Sequence, residues 1–178
     1  MLQILHADHG VKEVCEQPPP VHYRDSKGKL RAHTCDVLVT MVSGERISVD
    51  VKPESRVIPS GLRKTLQAIK AQVGDAFADT YCICTEAEIT RELAENSRLI
   101  LRCRNMWSRE NVAKMARFAE TINGAVQIGP LMYHSGLERK AMPAIINLID
   151  GGYFEVSQGI IDHSSYVRLS ARNANIAA

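Results

Sequence analysis

The residues of this sequence best suited to chemistry are two aspartates and a lysine, Asp36, Asp50 and Lys52. Carboxylate oxygens are the hard ligands that hold Mg²⁺, and the Val51 carbonyl between Asp50 and Lys52 would supply a further oxygen. A bound metal lowers the pKa of a water, orients it and neutralises charge that develops on a phosphate. A neighbouring lysine could orient or deprotonate that water, or stabilise the developing charge. The combination predicts metal-dependent attack of water on a phosphate ester.

Alternating hydrophobicity predicts two strands that carry these residues, over 35–42 and 46–52. Side chains alternate between the two faces of a strand, so Asp50 and Lys52 share the face opposite the apolar residues of the second strand. Asp36 lies opposite the apolar residues of the first strand in the same way. Because the two apolar faces must lie on one side of the sheet, we expect all three polar side chains on the other side.

The loop between the strands decides how these side chains pair. A three-residue loop at 43–45 would set Asp36 opposite Lys52, with Asp50 diagonal to Asp36 and within reach of a shared ligand. A two-residue loop would instead put the apolar faces on opposite sides of the sheet. The resulting Asp-x13-Asp-x-Lys pattern is the sequence form of the PD-(D/E)xK nuclease core. The same pattern is also common by chance on the solvated face of a hairpin, and both interpretations stay open here.

Length and composition describe the chain around these residues. Its 178 residues predict one domain, or one domain with a small appendage. With a net charge of +2 and 45% hydrophobic residues, it is neither a basic nucleic-acid-binding tail nor an acidic disordered chain. No apolar run is as long as a membrane span, and His6, Asp8 and His9 argue against a signal peptide. The five cysteines, an odd number, predict buried reduced thiols in a cytosolic protein.

Downstream of the hairpin, helical and strand patterns alternate. This order predicts an α/β layer, whereas residues 1–34 are expected to be irregular. The predicted elements are a helix over 62–73 ended by Gly74, a strand over 80–84, a helix from the capping box Thr85–Glu88 to about 95, and a strand over 98–102.

The pattern of predicted elements changes after about residue 106. Two helices followed by a hairpin are the outline of a small winged-helix unit. We therefore expect an α/β domain over 1–105 and a C-terminal helical, winged-helix-like region over 106–178. The elements of that region are helices over 108–122 and 135–150, the latter either one helix or two short ones because of Pro143, and a hairpin of 153–156 with 165–169.

A basic segment lies between His22 and His33. It is interpreted as the solvated tip of a hairpin, with phosphate contact beside a cleavage site as the alternative. The charged residues of this segment are Arg24, Asp25, Lys27, Lys29 and Arg31.

Several short motifs, in order along most of the chain, resemble the TnsA-type transposon endonucleases, a family of the PD-(D/E)xK, restriction-endonuclease-like superfamily. The Glu16-Gln17-Pro18 and Asp50-Val51-Lys52-Pro53 blocks carry most of the resemblance. Supporting it are Val21-His22-Tyr23, His33-Thr34-Cys35-Asp36, the segment 81–89 with Asn96 and Leu99, and Gly151-Gly152-Tyr153-Phe154.

The resemblance implies a restriction-endonuclease-like fold, a mixed sheet flanked by helices. It also implies a Mg²⁺-dependent cut, with Mn²⁺ able to substitute, in double-stranded DNA at the 5′ ends of a transposon. The implied partners are a DDE transposase subunit and an ATPase regulator. The implied location is the bacterial cytoplasm, in association with the nucleoid and not with a membrane. Transferred by position, Asp36 is the metal-bridging carboxylate, Asp50 a second metal ligand and Lys52 the catalytic lysine.

The sequence departs from the family pattern at one place. The family also uses a Glu on a helix upstream of the Glu-Gln-Pro block, and the matching position falls at or before Met1, with Asp8 and Glu13 nearby but out of register. Three functions follow: an endonuclease subunit of a heteromeric transposase, a catalytically inactive nuclease-fold module that binds DNA or transposase partners, and a free-standing nuclease of the same fold.

Overall fold

The computed structural model describes residues 1–171, and the chain divides into two compact units. The first runs from Met1 to Thr90 and the second begins at Arg91. None of the helices in the described part of the chain is long and apolar enough to cross a membrane.

The first unit is built around a four-stranded mixed sheet. Its strand order is β1-β4-β5-β6, antiparallel except for the parallel pair β5 and β6. A parallel pair needs a crossover connection, and two helices supply it. The elements are α1 (Leu2–Ala7), β1 (Val11–Glu16), β2 (Val21–Arg24), β3 (Leu30–His33), β4 (Val37–Met41), β5 (Arg46–Val51), α2 (Glu54–Ser60), α3 (Leu62–Val73) and β6 (Thr80–Cys84).

Helices cover both faces of this sheet. On one face, Val37, Val39 and Val49 form a core together with residues of α1. On the other face, α3 contributes Leu66 and Ile69 to a second core shared with β2 and β6. The expected α/β architecture, a mixed sheet flanked by helices, is therefore confirmed.

The prediction that residues 1–34 are irregular is wrong. They form α1, β1 and the antiparallel hairpin β2–β3. Only Val11 and Val14 of β1 are even half-buried, and only Val21 of the hairpin is buried, so these strands lack the regular apolar alternation that marks a strand in sequence. The solvated hairpin tip is confirmed, closed by Asp25, whose carboxylate accepts from the backbone N–H groups of Lys27 and Lys29.

The predicted strand over 98–102 is also wrong, because these residues belong to a helix, α4 (Arg91–Arg104). Leu99, Ile100 and Cys103 lie at helical spacing and pack into the core of the second unit, and a short apolar run alone cannot distinguish the two structures. The boundary expected between 105 and 106 accordingly lies one helix earlier, after Thr90.

The helix expected from Thr85 to about 95 begins only at Arg91. The side chains of the capping box do meet, since Glu88 Oε2 accepts from both the N–H and the Oγ1 of Thr85 at 2.7 Å. They close a turn in which the Ile89 N–H bonds to the Thr85 carbonyl, and no helix follows it directly.

The second unit is mainly helical and has one core. The helix expected over 108–122 and the expected hairpin are present, and a strand at Val126–Gln127 adds to that hairpin as its third strand. The helix expected over 135–150 begins only at Ala141, and a helix that was not expected, Ile128–His134, ends just before Ser135. Pro143 is the third residue of α7, where its missing N–H breaks no helical hydrogen bond. The elements after α4 are α5 (Arg109–Ala119), β7 (Val126–Gln127), α6 (Ile128–His134), α7 (Ala141–Asp150), β8 (Phe154–Val156) and β9 (Tyr166–Leu169).

Helix α7 lies in the middle of this unit. It packs against α4, α5, α6 and β8, and none of its residues is exposed. The second helix of a DNA-binding winged helix must present an open face to the major groove. Helix α7 offers no such face, and Arg168 of the hairpin is paired with Glu155.

The buried contacts of α3 should dominate the stability of the first unit. Ile69 is 1% exposed and Ile58 is 84% exposed, so the same truncation can be compared at both positions. We expect Ile69→Ala to lower the free energy of unfolding by about 2–4 kcal/mol. Ile58→Ala should change it by less than about 0.5 kcal/mol. Urea titration followed by circular dichroism measures both, and equal effects would contradict this packing.

The ion pair of Arg104 with Asp150 should contribute to the second unit. Its two hydrogen bonds are 2.6 and 2.8 Å long, and the Asp150 side chain is 10% exposed. We expect Asp150→Ala to lower the free energy of unfolding by about 2 kcal/mol, because the Arg104 guanidinium loses a charged partner while half-buried. The control is Glu110→Ala, which removes an exposed helical pair with Lys114 and should leave the urea midpoint almost unchanged.

Candidate active site on the central strand

The pairing of β4 with β5 brings the two predicted carboxylates together. The ladder sets Val37 opposite Val49, and continued by one residue beyond the start of β4 it sets Asp36 opposite Asp50, near the end of β5. Asp50 and Lys52 keep the expected face, since a register shift of two residues does not change it, whereas Asp36 precedes β4 and is exposed. The prediction that Asp36 lies opposite Lys52 is wrong.

The cause of this difference is the position of the turn. The loop covers 42–44 rather than 43–45, with the Met41 N–H bonded to the Glu45 carbonyl and the Gly44 N–H bonded to the Met41 carbonyl. Gly44 has a φ of +93°, which glycine adopts without strain. A three-residue hairpin loop places a residue of positive φ last, so Gly44 ends the loop and the register follows from it.

A backbone hydrogen bond fixes the Asp36 carboxylate. Its Oδ2 accepts from the Val51 N–H at 2.7 Å, which holds the side chain against the end of β5. In an extended strand the carbonyl of a residue points the same way as its N–H, so the Val51 carbonyl lies on the Asp36 side of β5. Asp36 and Val51, two of the predicted metal ligands, are thus joined by one hydrogen bond.

The partner of Asp50 is His33, the last residue of β3. His33 Nε2 lies 3.0 Å from Oδ1 and 3.1 Å from Oδ2 of Asp50, so one ring nitrogen contacts both carboxylate oxygens. The Asp50 side chain is 7% exposed and that of His33 20%. A buried carboxylate needs such a partner, because it has lost the water that would otherwise solvate it.

Lys52 follows directly after β5. Its backbone N–H donates to the Cys84 carbonyl at 3.0 Å, which continues the parallel ladder with β6. Strand alternation then places Lys52 on the face of Asp50. Its side chain is half-buried, and its ammonium group makes no hydrogen bond or ion pair with residues 1–171. A cationic group is therefore available beside the two carboxylates.

The face of the sheet that carries Asp50 is buried, whereas the alternative interpretation placed it on the solvated face of a hairpin. Ser48 is 1% and Asp50 5% exposed, because Tyr81 and Ile83 of β6 share this face and pack under α3. Cys35 is also buried here, and this burial raises the pKa of its thiol, with the charge of Asp50 adding to the effect. A thiol held protonated is a poor metal ligand and nucleophile.

The upstream acidic residues do not complete the site. Asp8 ends α1, where its Oδ1 accepts from the Gly10 N–H at 2.7 Å, and Glu13 is exposed on β1. Within residues 1–171, no group of three or more His, Cys, Asp or Glu side chains is placed to hold a metal ion.

His33 is the residue that sequence reasoning missed. The sequence places His33 at the end of a solvated basic segment and in one block of the resemblance, and assigns it no role in the site. His22, the other histidine of that hairpin, is exposed. The contact with Asp50 joins residues 17 positions apart in the sequence. No local pattern marks such a contact; the one available signal was that His33 stands three residues before Asp36.

Comparison with models of protein families and with curated proteins finds no match to this sequence.

The contact between His33 and Asp50 should be visible as energetic coupling. We expect His33→Ala to lower the free energy of unfolding by about 1–3 kcal/mol, because the Asp50 carboxylate stays buried without its donor. In a double-mutant cycle with Asp50→Ala, the two losses should differ from additivity by about 0.5–3 kcal/mol. His22→Ala is the matched control and should cost little. Additive losses would show that the contact contributes nothing.

Proposed function

We propose that the first unit binds Mg²⁺ through Asp36 and Asp50 and hydrolyses phosphodiester bonds in double-stranded DNA. The observation that carries this proposal is that the Asp36 carboxylate, immediately before β4, is bonded to the Val51 N–H of β5, between Asp50 and Lys52 in the sequence. These are the residue types that metal-assisted attack of water on a phosphate requires.

The residues present fit such a cation. Mg²⁺ keeps several waters and commonly takes only one or two protein carboxylates. Among residues 1–171, Asp36 Oδ1 accepts no hydrogen bond, so it is open to a ligand while Oδ2 is held by Val51. Each oxygen of Asp50 has a second lone pair besides the one directed at His33. Asp36 and Asp50 would hold the ion, with the Val51 carbonyl as a further oxygen ligand.

Each side chain then has a role in the proposed reaction. The bound ion supplies activation of water and neutralisation of phosphate charge. The Val51 N–H keeps the Asp36 carboxylate in place, and His33 does the same for Asp50, so both are oriented before the ion binds. The Lys52 ammonium, which has no protein partner in the described chain, would stabilise the negative charge that builds on the phosphate oxygens as water attacks.

The biological setting of this activity is proposed from the resemblance to TnsA-type endonucleases. We propose that the protein is the endonuclease subunit of a heteromeric transposase and cuts at the 5′ ends of a transposon, together with a DDE transposase and an ATPase regulator. A mixed sheet flanked by helices, with the two aspartates and the lysine beside its central strand, is compatible with the restriction-endonuclease-like fold that the resemblance implies. A free-standing nuclease of this fold would use the same residues.

One observation favours a second function, a catalytically inactive module that binds DNA or transposase partners. His33 contacts both oxygens of Asp50, and residues 1–171 bring no third acidic side chain to the site. An imidazole in this position could replace a cation as the partner of Asp50. The two functions differ in whether the protein binds a divalent metal at all.

The test is a titration of Mn²⁺ into the full chain by calorimetry. Wild type should bind the ion, and Asp36→Ala and Asp50→Ala should each weaken binding by about tenfold or more, since each removes one of two carboxylate ligands. Lys52→Met should keep the affinity, because Lys52 is not a ligand. Glu110→Ala, which removes an exposed carboxylate of the second unit, is the control. Circular dichroism checks that each variant is folded.

Cleavage is then measured on transposon-end DNA in the presence of the transposase partners. All three site variants should lose cleavage, Lys52→Met while still binding metal. If wild type binds no Mn²⁺ at millimolar concentration, the catalytic proposal fails and the inactive module replaces it. If it binds metal but Asp36→Ala and Asp50→Ala bind equally well, the metal lies elsewhere.

A further inference from the structure

The two edges of the four-stranded sheet are protected to different degrees. An exposed edge strand is a template for pairing with another chain, and proteins commonly block it with charges, proline or a bulge. Strand β1 has such protection, since its register shifts between Val11 and Glu13 and it carries Lys12, Glu13 and Glu16. Strand β6, with the sequence Thr-Tyr-Cys-Ile-Cys, has no charge, no proline and no bulge.

The outer edge of β6 offers a regular set of backbone groups. Cys82 and Cys84 direct their N–H and C=O groups towards β5, as the bond from the Lys52 N–H to the Cys84 carbonyl shows. Tyr81 and Ile83 alternate with them and direct theirs outward. Within residues 1–171, no hydrogen bond uses the backbone groups of Tyr81 or Ile83 on this edge. Two donors and two acceptors therefore point away from the sheet in the spacing of a strand.

A groove of about 350 Å³ runs beside this edge, between β6 and α3. Leu66, Tyr81 and Ile83 supply its apolar lining, and the Tyr81 hydroxyl is fixed by a 2.9 Å bond to the Gly74 carbonyl. Arg63 and Lys70 lie on its α3 side. The groove thus has an apolar lining, a cationic wall and a free strand edge.

The cationic wall has no ion-pair partner within residues 1–171. Arg63 and Lys70 are exposed, and neither forms an ion pair with the part of the chain that the structure describes. They are seven residues apart on α3, which is about 10 Å along the helix axis. Acidic side chains on one face of an added strand recur every ~7 Å. Two of them therefore lie within reach of the long, flexible side chains of Arg63 and Lys70.

We propose that the outer edge of β6 binds an extended acidic segment of another protein, which adds to the sheet as a fifth strand. Main-chain hydrogen bonds to Tyr81 and Ile83 would hold the segment, and its acidic side chains would pair with Arg63 and Lys70. A nucleic-acid backbone suits this surface less well, because phosphates only accept hydrogen bonds and would leave the carbonyls of Tyr81 and Ile83 without donors. The proposal does not depend on metal binding or catalysis at Asp36 and Asp50.

The probe is a fluorescein-labelled synthetic peptide of four Val-Glu repeats, with a Val-Lys repeat as its charge control. Fluorescence anisotropy with the full chain should detect binding of the Val-Glu peptide alone. The double variant Arg63→Glu/Lys70→Glu should weaken binding by about tenfold or more, and the loss should shrink as salt is raised. Lys64→Glu reverses an exposed charge of α3 outside the groove and should change the affinity less than about twofold.

Two further measurements test the strand geometry without altering the protein. A Val-Glu peptide N-methylated at alternate residues, on the edge that faces β6, should lose binding, because its amides can no longer donate to the Tyr81 and Ile83 carbonyls. In hydrogen exchange, the unmodified peptide should slow the amides of Tyr81 and Ile83 and leave those of Cys82 and Cys84, already bonded to β5, unchanged.

Three results would overturn the proposal. The methylated peptide could bind as well as the unmodified one, which would exclude strand addition. A single-stranded oligonucleotide could bind in a manner sensitive to Arg63 and Lys70 without protecting the Tyr81 amide, which would make the groove a nucleic-acid contact. In the absence of peptide, the amides of Tyr81 and Ile83 could be protected from hydrogen exchange to an extent that rises with protein concentration. That result would identify a second copy of the chain as the occupant.

Discussion

The turn at Gly44 sets the register on which the candidate site depends. Because a residue with positive φ must close the three-residue loop, Gly44 ends it, and the ladder between β4 and β5 follows with Val37 opposite Val49. One consequence is that Asp36 faces Asp50. Another is that the apolar side chains of both strands lie on the α1 side of the sheet, so the same turn determines the core and the polar face.

Two contacts hold the carboxylates of the candidate site, one from β5 itself and one from the β2–β3 hairpin. The Val51 amide holds Asp36, and His33 brings the end of the β2–β3 hairpin to Asp50. Burial under α3 makes the contact with His33 matter most, since the Asp50 carboxylate is removed from water and is stable only with a partner, whereas Asp36 is exposed. The same surroundings would strengthen the electrostatic effect of a bound cation or phosphate, because the local dielectric is lower than that of water.

The sequence predicts those parts of the fold whose side chains have a regular apolar period. Strands β4, β5 and β6 and helix α3 are of this kind, and so is the common face of Asp50 and Lys52. The β2–β3 hairpin was missed as structure because it is almost entirely solvated. The segment 98–102 of helix α4 predicts a strand because its three adjacent apolar residues, Leu99 to Leu101, fit either period. The contact of His33 with Asp50 is a tertiary pairing, and no local spacing encodes it.

The polar residues of the candidate site all lie between His33 and Asp50–Lys52, a stretch of chain that forms one continuous hairpin with the end of β3. Contacts between residues close in sequence form faster than those that must close long loops, because less chain entropy is lost. The pairing of β4 with β5 therefore costs less chain entropy than the pairing of β5 with β6, which must close the whole two-helix crossover. The residues of the candidate site are thus set by the shortest loop of the sheet, while the helix that buries Asp50 belongs to a longer one.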